Sequence, residues 1–188
     1  QGVQEHRATV LDAVPTMYAR MVNLPNASDY DVSSLDRCVS AGAPLPLKVM
    51  KDFEDIFDTR VIEAYGLTET GLVTTNPVYG RVKPGSVGLP CPRVNLRVVD
   101  DAGADMPPGE MGEIVIKSPS VMTGYRGLPD ANAEAFREGW FHSGDLGEVD
   151  EEGYLFIVDR KKDMIITGGY NVYPAEVENA LCSHSAIA

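Results

Sequence analysis

In the first third of the chain, short apolar runs typical of buried strands alternate with segments whose apolar residues recur at helical spacing. The run RATVLDAVP (Arg7 to Pro15) is a short apolar stretch that predicts a buried strand. Pro15 suits the start of the helix TMYARMV, because a first-turn residue needs no N–H donor. SLDRCVSAG (Ser34 to Gly42) and TRVIEAYG (Thr59 to Gly66) predict a second and a third strand.

A helix is predicted between the second and third strands. In PLKVMKDFEDIF (Pro46 to Phe57), Met50, Phe53 and Phe57 recur at helical spacing, with Leu47 and Val49 beside them. The outer face carries the charged residues Lys48, Lys51, Asp52 and Asp55. Strand, helix and strand in this order predict a right-handed parallel crossover, with the loops AGAP and GLTETG at the same edge of the sheet.

From about Ser86 the pattern changes to short alternating runs, VNLRVVD, GEIVIKS and GYLFIVD. The acidic segments DDAG and DEEG lie between them and end in glycine, as turns that close β-hairpins do. The proline- and glycine-rich connection from Asn76 to Arg93 marks the join with the first part. A final helix is predicted to begin at Pro174.

These elements predict an α/β fold: the end of a parallel-sheet βαβ layer, a small antiparallel β-barrel-like subdomain, and the start of a C-terminal α+β domain. We expect residues 1–80 to be the late part of a large N-terminal domain and residues 81–159 to be its β-rich subdomain. Residues 160–188 are expected to hold a hinge and the beginning of the C-terminal domain.

Composition narrows the classes of function. The chain has 188 residues and a formal net charge of −12, which argues against a nucleic-acid partner because phosphate binding needs a clustered basic surface. Its three cysteines are far apart and form no C-x-x-C motif, so neither a disulfide framework nor a zinc site is indicated. No apolar run approaches the ~18 residues of a membrane span, and no signal peptide is evident. We therefore expect a cytoplasmic protein without a transmembrane segment.

Candidate chemistry lies in the two loops at the predicted sheet edge, where open parallel sheets bind ligands. Gly42 lets backbone amides approach a planar base, and Tyr65 offers an aromatic face. Thr68 offers a hydroxyl for a phosphate oxygen, and Glu69 a hard oxygen ligand for Mg²⁺. Taken alone, a short glycine-containing loop of this kind favours an ordinary strand-to-helix turn over a ligand site.

A second group of candidates lies in GWFHSGDLG and the strand that follows it. Asp145, after a Ser-Gly turn, could accept both hydroxyls of a ribose, and Arg160 could support the same sugar. For His142 a structural role is favoured over general-base catalysis, because no nucleophile is spaced to use it. Trp140 and Phe141 are expected to anchor the loop in the core. DDAGAD is favoured as a hairpin turn over a calcium loop.

Four motifs in order, SAGAPL, YGLTETG, GWFHSGDLG and DRKKDMIITGGYNVYPAEVE, resemble the adenylate-forming enzymes, specifically the fatty-acyl-CoA synthetase branch. The resemblance runs from Ser40 to Glu178, almost the whole chain. It implies a two-step reaction with ATP, Mg²⁺ and coenzyme A: a carboxylic acid, expected to be a fatty acid, forms an acyl-adenylate, and the thiol of coenzyme A then displaces AMP.

The resemblance also implies roles for single residues. Thr68 matches the residue that contacts phosphate and Glu69 the one that helps to hold Mg²⁺, so both are the candidate catalytic residues. Tyr65 matches the aromatic that packs on adenine, and Asp145 with Arg160 matches the ribose-binding pair. The backbone beside the purine is matched by Ala41, Gly42, Ala43 and Pro44, and Gly66 completes the candidate nucleotide site.

The last motif implies a moving part. Lys162 matches the hinge about which the small C-terminal domain rotates between the two half-reactions. Gly168 and Gly169 match the loop that lines the pantetheine tunnel of coenzyme A after that rotation. The family's lysine-ended phosphate loop and its late catalytic lysine have no counterpart in this sequence. We therefore expect the chain to be a fragment, inactive alone, whose segment after about Arg160 is poorly anchored or packs non-natively.

Two other interpretations stay open. One is the amino-acid-activating domain of a peptide synthetase, although GGYNVYPAEVE is more similar to the CoA-ligase branch. The other is a non-catalytic nucleotide-binding or scaffolding module. The sequence does not distinguish aliphatic from aromatic acids, because residues such as Gly66, Leu72 and Val73 suit both.

Overall fold

The structure is a computed structural model and describes residues 1–167 and 170–182. In this part of the chain the α-helices span Gly2–His6 (α1), Pro15–Val22 (α2), Leu47–Phe57 (α3), Pro129–Ala135 (α4) and Pro174–Cys182 (α5). The strands are Val10–Ala13 (β1), Arg37–Ser40 (β2), Val61–Leu67 (β3), Gly71–Thr75 (β4), Leu89–Pro90 (β5), Asn95–Val99 (β6), Gly112–Lys117 (β7), Phe136–Arg137 (β8), Trp140–Val149 (β9), Leu155–Arg160 (β10), Ile165–Thr167 (β11) and Tyr170–Val172 (β12). A 3₁₀ turn occupies Ala27–Asp29.

The first sheet has the strand order β1-β2-β3-β4-β5. β1 pairs with β2 and β2 with β3 in parallel, which confirms the predicted crossover. α2 and α3 pack together over this sheet. Their contact is made by the edge of the Tyr18 ring against Phe53, with ring centroids 4.9 Å apart. The short helix α1 was not predicted.

The segment GLTETG is the tip of a hairpin, and the alternative of an ordinary strand-to-helix turn is wrong. β3 continues to Leu67 and pairs antiparallel with β4. Thr70 closes the turn, because its hydroxyl oxygen accepts the N–H of Leu67 at 3.2 Å. The strands approach so closely at Gly66 that a Cβ there would lie 2.3 Å from the carbonyl oxygen of Gly71.

The second sheet is antiparallel, with the order β10-β9-β7-β6 and with β8 on β9. DDAG and DEEG form turns as predicted: Asp100 accepts the N–H groups of Ala102 and Ala104, and Asp150 accepts the N–H groups of Glu152 and Tyr154. The prediction of a Ser-Gly turn before Asp145 is wrong. Those residues lie inside β9, the ten-residue strand that contacts both β7 and β10.

Two hydrophobic cores hold the molecule together. The first lies between the parallel strands and helices α2 and α3 and contains Ala13, Tyr18, Cys38, Leu45, Met50, Phe53 and Val61. The second lies between the antiparallel sheet and the β3-β4 hairpin and contains Tyr65, Val73, Val98, Ile114, Ile116, Phe141 and Leu155. Because Tyr65 and Val73 come from β3 and β4, this hairpin belongs to both halves. Phe141 is a core residue, as predicted.

Among the described residues beyond Arg160, β11 pairs antiparallel with β12, and α5 follows. Ile165, Val177 and Leu181 are each about half exposed, so these apolar side chains contribute little to either core. The division of the chain into three domains stays a prediction. In residues 1–167 and 170–182, the longest helix has 11 residues, and none is long and apolar enough to cross a bilayer.

Replacing the central aromatic of the first core tests this packing. Phe53→Ala is expected to lower the free energy of unfolding by about 3–5 kcal/mol, because the deleted ring leaves a cavity that its neighbours fill only in part. Urea denaturation measures the change. Leu47→Ala is the control on the same helix: its side chain is 56% exposed, and a change of about 0.5 kcal/mol or less is expected. Equal losses in the two variants would contradict the assignment of this core.

Candidate nucleotide site

Tyr65 and Asp145 come from different motifs and meet in space. The Tyr65 hydroxyl donates to Asp145 Oδ2 at 2.7 Å. Arg160 approaches from the other side, with its Nε 3.2 Å from Asp145 Oδ1. Each carboxylate oxygen therefore has one fixed donor and keeps a further lone pair for a ligand. The structure thus brings together three of the residues that the sequence predicts for a nucleotide.

Strand pairing explains how Asp145 and Arg160 come to face each other. They are register partners in the β9-β10 ladder, which carries a bulge between Ile157 and Asp159. Ser143 fixes the segment before Asp145: its hydroxyl donates to the Ile114 carbonyl at 2.7 Å and accepts the Asp145 N–H at 3.0 Å. The carboxylate is thus placed by backbone and side-chain bonds together.

Burial gives Asp145 its electrostatic character. The residue is 4% exposed, and desolvation raises the pKa of its carboxyl, while Tyr65 and Arg160 counteract that rise. The negative charge of Glu69 adds to the rise in the Asp145 pKa, so the two carboxylates are close enough to affect each other. The pKa of Tyr65 is also raised, chiefly by burial and then by Asp145. Its hydroxyl therefore stays protonated and remains a donor.

Glu69 is held at the tip of the β3-β4 hairpin. Its Oε1 accepts the hydroxyl of Tyr125 at 2.9 Å, and its backbone carbonyl accepts the Met122 N–H at 2.7 Å. Within the described parts of the chain, no lysine or arginine forms an ion pair with Glu69. Its neighbour Thr68 is exposed.

The loop AGAP and the hairpin line one open cleft of about 570 Å³. Gly42 has a φ of +89°, a backbone conformation that favours glycine. Of the predicted site residues, Ala41, Gly42 and Gly66 line the cleft, whereas Ala43 and Pro44 are exposed beside it. The remaining walls are mostly apolar and are formed by Asp12, Ala13, Val14, Met17, Leu67, Gly71 and Leu72.

Three predicted positions are not tested by this geometry. Lys162 is exposed in the turn after β10, and its role as a hinge stays a prediction. Gly168 and Gly169 lie outside the described residues.

His142 lies in a charged cluster, with Nδ1 2.6 Å from Arg137 and 3.2 Å from Glu113, which agrees with the structural role favoured from the sequence.

Several polar residues of this region were missed from the sequence. No sequence feature marks Tyr125 or Ser143, because their importance depends on contacts across the fold. Glu63 does have such a feature, since it is a charged residue inside the apolar run VIEAYG. It is 5% exposed, its Oε1 accepts the Leu45 N–H at 3.3 Å, and its Oε2 is buried without a partner in the described part of the chain. Its register partner Ser40 likewise has a buried, unpaired hydroxyl.

Mg²⁺ is implied by the predicted chemistry, and the donors present fit it. In proteins this ion is commonly held by one or two carboxylates, with substrate phosphates and water completing its shell. Glu69 offers a carboxylate that is oriented but not neutralised. The described residues hold no cluster of three or more histidine, cysteine or acidic side chains that could enclose a metal by themselves. This pattern suits an ion that arrives with a nucleotide.

Comparison with known proteins gives the family of this chain. Residues 1–126 match the family model described as AMP-binding enzyme. The chain therefore belongs to the AMP-binding family of adenylate-forming enzymes.

Its relatives include ligases that differ in substrate. The chain is 43% identical over 187 residues to a long-chain-fatty-acid–CoA ligase of Bacillus subtilis, covering 98% of this chain and 33% of that protein. It is 42% identical over 188 residues to a feruloyl-CoA synthase of an Amycolatopsis species, covering 99% and 38%. ATP-bound MatB from Rhodopseudomonas palustris superposes with a TM-score of 0.88 at 39% identity, covering 95% and 36%. The chain thus spans about a third of the length of the curated relatives it matches.

The buried carboxyl group of Glu63 predicts how the stability of the folded protein depends on pH. Burial raises the pKa of Glu63 from 4.5 to about 7. Between these two pH values, the Glu63 carboxyl is protonated in the folded state and ionised in the unfolded chain. This contribution to stability is complete below about pH 4.5 and is lost as the pH rises through about 7.

Between about pH 5.5 and about pH 8.5, the stability of the wild type relative to Glu63→Gln should fall by about 2 kcal/mol, because glutamine does not titrate. Urea denaturation at both pH values measures this difference. The exposed Glu151→Gln is the matched control and should follow the wild type. A pH-independent difference between wild type and Glu63→Gln would contradict the raised pKa.

Proposed function

We propose that the gene product carrying this sequence is an ATP-dependent acyl-CoA synthetase, an AMP-forming acid–thiol ligase. The observation that carries the proposal is the convergence of Tyr65, Asp145 and Arg160, with Glu69 close enough to influence the same carboxylate. A buried carboxylate beside a cation and a phenol is suited to the two hydroxyls of a ribose. The family match and the CoA ligases among the relatives support the same activity.

In this proposal the chain binds and orients the nucleotide. Asp145 accepts the ribose hydroxyls, Arg160 counteracts the rise in the pKa of Asp145 and supports the sugar, and the ring of Tyr65 packs on adenine. The backbone of Ala41 to Pro44 and Gly66 borders the purine. Thr68 donates its hydroxyl to a phosphate oxygen, and Glu69 holds Mg²⁺. When bound, Mg²⁺ supplies positive charge against the phosphates.

The proposed reaction has two steps. A carboxylate oxygen of the acid attacks the α-phosphorus of ATP. The bond between the α-phosphorus and the oxygen that bridges it to the β-phosphorus breaks, and pyrophosphate leaves. The sulfur of coenzyme A then attacks the acyl carbonyl, and AMP leaves with the bonding electrons while the thiol proton is released. Lys162 is proposed as the hinge between these steps, and Gly168 with Gly169 as part of the tunnel for the thiol arm.

The proposed acid is a fatty acid, and its acyl group would lie in the cleft. Val14, Met17, Leu67 and Leu72 give that cleft an apolar wall, which suits a hydrocarbon chain. The relatives named for long-chain fatty acids and for feruloyl-CoA differ in substrate, so the class of acid needs a direct test. We also propose a cytoplasmic location and a role in fatty-acid metabolism.

Pyrophosphate exchange into ATP tests the activity. The complete gene product is expected to catalyse acid-dependent exchange, with aliphatic acids of a panel stimulating it more than aromatic or amino acids. An amino-acid preference would instead favour the peptide-synthetase interpretation. No exchange with any acid, together with AMP binding by calorimetry, would favour a non-catalytic nucleotide-binding module. The 188-residue chain alone is expected to bind AMP weakly and to form no adenylate.

Replacing the ribose carboxylate tests the site itself. Asp145→Asn is expected to weaken AMP binding at least about tenfold, because charge-assisted hydrogen bonds to the ribose become neutral ones and the amide NH₂ opposes one of the two fixed donors. Isothermal titration of the complete gene product measures the affinity. Asp55→Asn makes the same chemical change on the exposed face of α3 and should leave binding unchanged. Equal affinities of Asp145→Asn and wild type would refute the ribose assignment.

A further inference from the structure

A hydrogen-bonded series links Glu69 to α4, a helix of the antiparallel half of the molecule. Tyr125 lies in the segment between β7 and α4, and its hydroxyl donates to Glu69 Oε1 at 2.9 Å. The same segment holds the backbone of Glu69, because the Met122 N–H donates to the Glu69 carbonyl at 2.7 Å. Glu69 is therefore fixed at both its side chain and its main chain by one neighbouring segment.

Tyr125 is fixed in turn by Asn132 of α4. The Tyr125 N–H donates to Asn132 Oδ1 at 2.6 Å, and Asn132 Nδ2 donates to the Tyr125 carbonyl at 2.9 Å. Gly124 permits this approach: its φ is +142°, and a Cβ there would lie 2.9 Å from Asn132 Oδ1. The side-chain amide thus clamps the main chain of Tyr125 on both sides, and the phenol is directed at the hairpin tip.

The chemistry of the donor matters. A phenol is a neutral donor, so it orients the Glu69 carboxylate without cancelling its charge. A lysine or arginine in this position would form an ion pair and compete with a metal cation. Because the phenol engages Oε1, the second carboxylate oxygen stays available to a hard cation such as Mg²⁺. Orienting the ligand before the metal arrives reduces the entropy lost on binding.

We propose that Tyr125 is a positioning residue, which holds the Glu69 carboxylate ready for the metal of a metal–nucleotide complex, with Asn132 as its support. The inference rests on the proposed function, since it assigns a helper to the metal ligand named there. Tyr125 does not itself contact metal or substrate; it acts through Glu69. Its effect should therefore appear in the affinity for the metal and not in the affinity for the nucleotide.

The test uses Tyr125→Phe in the complete gene product and Mn²⁺ as a spectroscopic substitute for Mg²⁺. Electron paramagnetic resonance measures free Mn²⁺ at saturating ATP, which gives the affinity for the metal. Calorimetry in the presence of a metal chelator measures the affinity for metal-free ATP. Removing the hydroxyl is expected to weaken Mn²⁺ binding about fivefold, the loss of one ordinary hydrogen bond, and to leave metal-free ATP binding unchanged. The Mg²⁺ concentration for half-maximal pyrophosphate exchange should rise by a similar factor.

Tyr154→Phe is the matched control, because its buried hydroxyl donates to the Arg81 carbonyl at 2.9 Å, outside the candidate site. It should match the wild type in Mn²⁺ affinity whatever its melting temperature. A double-mutant cycle gives the second measurement. In a Glu69→Gln background Tyr125→Phe should cause no further loss, since a positioning residue has nothing left to position.

Each other outcome overturns the proposal. Unchanged Mn²⁺ affinity in Tyr125→Phe, an equal loss for metal-free ATP, or additive losses in the cycle would show that Tyr125 does not act through Glu69. A wild type that binds no Mn²⁺–ATP and catalyses no exchange would refute the proposed function, and the inference with it. The failure of the proposed function is thus visible in the wild type, whereas failure of the inference alone appears only in the variant.

Discussion

The hydrogen bond from Tyr65 to Asp145 is the interaction on which the candidate site depends. A carboxylate that is 4% exposed is costly to bury unless donors replace the water it has lost. Here the donors are the phenol of Tyr65, from the first sheet, and the guanidinium of Arg160, from the adjacent strand of the second. Since neither sheet supplies both donors, a buried Asp145 has both of them only where the two sheets meet.

The junction between the sheets is built from backbone to bring these groups together. The Val87 N–H donates to the Leu155 carbonyl, the Leu155 N–H donates to the Gly88 carbonyl, and the Ser86 hydroxyl also donates to Leu155. A Cβ at Gly88 would lie 2.0 Å from the carbonyl carbon of Thr75, so only glycine allows the connection to lie this close to β4. The proline- and glycine-rich segment after Asn76 therefore joins the two cores tightly and does not act as a loose linker.

Much of the fold was predictable because it follows local rules. The apolar stripe of α3 and the acidic turns at Asp100 and Asp150 each depend on a few neighbouring residues, and the structure has them as predicted. β9 was missed because Ser143 and Gly144 suggest a turn, whereas the structure keeps them inside the strand, at a register shift against β7 where Gly144 has a φ of +72°. The β3-β4 hairpin was missed for a similar reason, since the segment also resembles a loop that leads into a helix.

By itself, the sequence determined the family, the α/β class of the fold and the types of residue available to a nucleotide. Those properties are carried by short motifs, in which spacing and residue type are sufficient. Only the tertiary structure decided that Tyr65 meets Asp145, that Glu63 is a buried carboxylate with a raised pKa, and that Tyr125 holds Glu69. Tyr65 and Asp145 are 80 residues apart in the sequence, and Glu69 and Tyr125 are 56 residues apart. Such contacts follow from how the two sheets pack and not from any local pattern.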